Sequence, residues 1–106
     1  MKYNVNYFIK KFESIPDNKW FVGEYSNKTG TKFCAYGHLG NALNKKATPR
    51  SIALSELVKS YANESIDGRY FVPEVNDGTS GWVFTGRTPK ERILNLLYNI
   101  KECGGV

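Results

Sequence analysis

The sequence predicts an α+β domain in which about four helices pack a small antiparallel sheet of three or four short strands. Three observations lead there. Apolar residues recur at helical spacing in four separate segments, aromatic and β-branched clusters bounded by turn residues fall between them, and long strands do not alternate regularly with helices as a doubly wound parallel sheet would require. With 106 residues, 41% of them hydrophobic, the chain fits one domain over 1–106 with enough apolar surface to fold without a metal or disulfide.

The first helix is expected over about 4–14, where Val5, Phe8, Ile9 and Phe12 form one stripe and Pro16 stops the run. Lys19 to Ser26, rich in aromatic and β-branched residues, predicts a strand; Asn27-Lys28-Thr29-Gly30 is its turn, and Thr31 to Phe33 begin the return. Ala35, Leu39, Ala42 and Leu43 then place a short helix from near Cys34 to Asn44, although Gly37 and Gly40 weaken it unless another element approaches closely there. Thr48-Pro49 starts a third helix over 49–62 with Leu54, Leu57, Val58 and Tyr61 on its inner face.

Arg69 to Val72 predicts a strand ended by Pro73, and Gly81 to Phe84 a second one, with Asn76 to Gly81 as a polar turn between them. The last helix, over 89–102, has the strongest local signal. Thr88-Pro89-Lys90-Glu91 is a capping box with Pro at the first helical position, and Ile93, Leu96, Leu97 and Ile100 share one face.

The charge is uneven: residues 1–53 carry a net +6 and residues 54–106 a net −1. Lys45, Lys46 and Arg50 form the densest basic cluster, a candidate site for a nucleic acid or nucleotide, or simply a solvated face. Eleven Lys to four Arg argue for the second, since Lys is the poorer bidentate reader of phosphates and bases. No apolar run has the length of a signal peptide or membrane span, so a cytoplasmic protein without membrane contact is expected. Two cysteines are too few for a disulfide framework and lack the spacing of a zinc site, and no cofactor motif is present. Abundant Asn, Lys and Tyr point to an AT-rich coding genome, bacterial or phage.

Among chemical candidates, Cys34 stands near a helix start, where the dipole favours a thiolate, and His38, the one histidine, follows four residues later. With Asp77, or Asn76 beside it, this is the composition of a Cys-His-Asp site, a cysteine-nucleophile hydrolase or transferase. Against that reading, cysteine is commonly buried, and a base four residues along the same helix rarely points at the nucleophile. Trp20, Tyr25, Tyr36, Tyr70 and Trp82 offer either a ligand groove or core packing.

The order Trp20 with Gly23, Gly30, Cys34-Ala35-Tyr36-Gly37-His38-Leu39, Asn76-Asp77 and Thr88-Pro89-Lys90-Glu91-Arg92-Ile93 resembles an uncharacterised family of small bacterial and phage domains, over about residues 3–102. That family has no assigned activity. The resemblance implies a small residue where this chain has His38 and a Trp where it has Val75, so a shared Cys-His chemistry would not use His38 as its base. The expectation from the whole sequence is a non-enzymatic module that binds a protein partner, with Trp20, Tyr36, Asn76, Trp82, Lys45, Lys46 and Arg50 as its candidate contacts.

Overall fold

A computed structural model describes residues 3–61, 68–79 and 86–104. It corrects the fold class. The chain is mostly helical, 64% against 3% strand, and the described residues form no sheet.

Helix α1, Val5–Glu13, is capped by Asn4, whose side chain accepts a hydrogen bond from the Tyr7 amide at 2.9 Å. It buries Val5, Phe8, Ile9 and Phe12, the stripe read from the sequence. A 3-10 turn, Asp17–Lys19, then leads into the first predicted strand. Instead of a ladder there are two isolated bridges, both made by Phe33: a parallel one to Trp20 and an antiparallel one to Ser26. Gly23, at φ 91°, turns the chain out of the extended region midway, so the segment cannot present a continuous edge. The turn prediction itself holds. Asn27 accepts from the amides of Thr31 and Lys32 through Oδ1, and Gly30 sits at φ 70°.

The helix expected over 34–44 is broken. Gly37–Asn41 is a wide π turn that contains Gly40 at φ 105°, and only Ala42–Asn44, α2, continues it before Lys45 ends it at φ 54°. A Cβ on Gly37 would lie 2.0 Å from the Tyr25 carbonyl oxygen, so the loop backbone seats directly against this residue. Helix α3, Pro49–Tyr61, begins at a reciprocal cap in which the Thr48 amide donates to Ser51 Oγ and the Ser51 amide to Thr48 Oγ1.

The strand predicted over Arg69 to Val72 is the opening of helix α4, Gly68–Asp77, which continues through Pro73. Phe71, Val72, Val75 and Asn76 are all buried, a spacing that puts them on one helical face. The expected Asn76-Asp77-Gly78 turn is the end of that helix. Gly78, at φ 76°, donates to the Val75 carbonyl and the Thr79 amide to that of Glu74, the two bonds of a Schellman termination. The strand predicted over 81–84 lies outside the described residues. Helix α5, Pro89–Glu102, has its Thr88 cap in place and buries Ile93, Leu96, Leu97 and Ile100. It packs on α1 and α4, and α4 in turn packs on α3, so α5 and α4 form the middle of the core.

Candidate functional site

Between the loop around Tyr25, helix α2 and the end of α4 lies a cleft of about 580 Å³. Gly23 to Lys28 supply one wall, Ala42 and Lys45 another, and Pro73 with Asp77 the third, with Cys34 among them. The volume is in the range of small-ligand or side-chain pockets. Its charged groups are mixed: Lys28 and Lys45 against Glu24 and Asp77.

The structure brings Cys34 and Asp77 together here, and it places Asn76 beneath them as a structural tie. Asn76 is fully buried. Its Oδ1 accepts from the Ala35 amide at 3.0 Å, and its Nδ2 donates to the Phe21 carbonyl and to Asp77 Oδ1, both at 2.9 Å. One amide thus fixes the end of α4 to the helical start at Ala35 and to the loop that walls the cleft. Arg92, from α5, caps the same end by donating to the carbonyls of Val75 and Asn76, and it also donates to the Gly86 carbonyl that precedes α5.

Cys34 is 6% exposed, and its sulfur accepts from the Gly37 amide at 3.4 Å. Burial pushes the thiol pKa up, against the weaker pull of the Gly37 and Tyr36 amides, and the nearby Asp77 charge pushes it the same way as burial. His38 turns elsewhere. Its ring sits edge-on against Trp20 at 4.9 Å and Phe33 at 5.3 Å, and burial lowers its pKa to about 4, aided by the Lys11 charge and opposed by the Lys19 and Phe33 carbonyls. No hydrogen bond joins Cys34 Sγ to the imidazole among the described residues. The thiol is pushed up and the imidazole down, so burial moves the two groups away from the proton transfer that a nucleophile-base pair needs.

The remaining candidates separate. Trp20 is buried against Phe12, and Tyr36 is buried with its hydroxyl bonded to that of Ser55, so both pack the core and neither lines the cleft. Trp82 lies outside the described residues. Lys45 lines the cleft, Lys46 is exposed beside it, and Arg50 reaches the Tyr7 hydroxyl at 3.4 Å. Among the described residues, no cluster of three or more His, Cys, Asp or Glu could hold a metal ion. Glu24, Lys28, Ala42 and Pro73 went unforeseen as cleft residues. The first two lie in a segment read as strand and turn, and Pro73 was read as a strand stop.

No family model matches this chain, nor does any curated protein or solved structure. No described helix is long and apolar enough to cross a membrane.

Proposed function

We propose that this chain is a non-enzymatic binding module that holds a partner protein through the cleft walled by residues 23–28, α2 and the end of α4. The observation that carries the reading is the cleft itself: an open, mixed polar and apolar depression whose cysteine, Cys34, is buried, pushed toward its protonated form and without a hydrogen-bonded base among the described residues. Burial and the hydrogen bonds of Asn76 hold the floor rigid, which lowers the ordering cost of binding. Both cysteines are free thiols, Cys34 buried and Cys103 exposed, and a reducing cytoplasm is the compartment we assign on that ground.

The test has two parts. In the first, the native protein is treated with iodoacetamide and the modified sites are read by mass spectrometry. Cys103 is expected to react readily, while Cys34 reacts only after denaturation. In the second, gel filtration of the protein with lysate of its source cells is expected to give a heavier complex that Cys34→Ala retains and Ala42→Arg, which fills the cleft, abolishes. Fast native alkylation of Cys34 with loss of the complex in Cys34→Ala, or no complex for the unaltered protein, would overturn the reading.

A further inference from the structure

Leu43 is 86% exposed, the most exposed of the large apolar side chains described. The sequence places it on the same apolar stripe as Ala35, Leu39 and Ala42. The break at Gly40, φ 105°, takes Leu43 out of that stripe and sends it to solvent while its neighbour Ala42 faces the cleft. A leucine left in water forgoes burial free energy that an interface can recover.

The chain around this side chain carries one sign of charge in sequence, although the adjoining cleft also holds Glu24 and Asp77. Residues 25–55 contain Lys28, Lys32, Lys45, Lys46 and Arg50 and no Asp or Glu. Lys28 and Lys45 both line the cleft, and Lys45 and Lys46, two and three residues after Leu43, are exposed. An exposed apolar anchor followed by two exposed cations matches an acidic surface that offers an apolar contact.

We infer that the occupant of this face is an acidic segment of a partner protein carrying a large apolar residue that packs on Leu43, its carboxylates meeting Lys45 and Lys46. The inference rests on the proposed binding role and names the chemistry of the partner. A nucleic acid fits less well. Four of the five cations are lysines, the poorer bidentate phosphate readers, and the Arg50 guanidinium is engaged by the Tyr7 hydroxyl. An exposed leucine, moreover, adds nothing to phosphate binding.

The experiment selects peptides from a random displayed library on the immobilised full chain, then measures the affinity of one synthetic peptide from the enriched set and of a thymidine oligonucleotide. The enriched peptides are expected to be net negative with at least one large apolar residue. Leu43→Asp, and separately Lys45→Glu with Lys46→Glu, should each weaken the synthetic peptide tenfold or more, and added salt should weaken it for the unaltered protein. Circular dichroism and the thermal midpoint check that these exposed substitutions leave the fold intact. Basic or uncharged enriched peptides, an affinity unchanged by Leu43→Asp, tighter binding of the oligonucleotide, or no enrichment would overturn the inference. Peptides lost with Ala42→Arg but kept by Leu43→Asp would sink it while leaving the binding role standing.

Discussion

His38 shows how burial changes what a residue type can do. An imidazole on an exposed helix would titrate near 6.5, but this ring lies between Trp20 and Phe33 with its pKa lowered to about 4, so it is neutral at pH 7. The unfolded chain binds this proton below about 6.5 and the folded chain only near 4. Between those values the unfolded state holds more protons, so stability is full above 6.5, falls as the pH drops through the window and levels off below 4. The loss expected from this residue is roughly 1–2 kcal/mol, discounted for partial solvent screening. Urea midpoints measured across pH 7 to 4 should show it, and His38→Phe should flatten that part of the curve. Asn76 is the complementary case, a polar residue whose burial is fully compensated. Asn76→Leu leaves the Ala35 amide and the Phe21 carbonyl unpaired, and we expect about 2–4 kcal/mol lost by chemical denaturation.

At the scale of elements, the helices with complete local signals form as their sequences dictate. Helix α5 has an N-cap, a first-position proline and a four-residue apolar face, and no tertiary contact is needed to explain where it begins. The segment 35–44 is the opposite. Its apolar spacing is helical, but the seating of the Tyr25 carbonyl on Gly37 and the left-handed Gly40 convert it into a π turn and one further helical turn. Gly37→Ala tests this joint. A methyl 2.0 Å from a backbone oxygen cannot be accommodated by a side-chain movement, so the loop must lift, with a cost of about 2 kcal/mol or more in denaturation experiments. The variant should also lose partner binding, because Tyr25 belongs to the cleft wall.

For the whole molecule, the organising contact is α5 against α1 and α4, with Arg92 joining α5 to the end of α4 through the Val75 and Asn76 carbonyls. Arg92→Met keeps much of the stem and removes the bonds. It should lower stability by about 1–3 kcal/mol and raise amide exchange at the end of α4 more than in α1, which a hydrogen-exchange map would separate. The same architecture explains where the candidate site sits. The cleft forms where the Tyr25 loop, α2 and α4 meet at one edge of the core, and each contributes residues distant in sequence.

The sequence by itself determined α1, α3 and α5, the caps at Thr48 and Thr88, most of the buried faces, and the turn at Asn27 to Gly30, because each rests on interactions within a few residues. It also brought Cys34, Asn76 and Asp77 forward as a group. Tertiary structure decided the rest. Arg69 to Val72 read as a strand ended by Pro73 until the helical face that Phe71 and Val72 share with Val75 found α3 and α5 to pack on, which offsets the proline's missing hydrogen bond. The aromatic run from Lys19 to Ser26 has strand composition, but without a partner strand it makes only two bridges and serves as a wall. Whether Cys34 would be a nucleophile, and whether His38 would face it, depended on burial and on the turn at Gly40, and neither quantity is encoded in spacing along the chain.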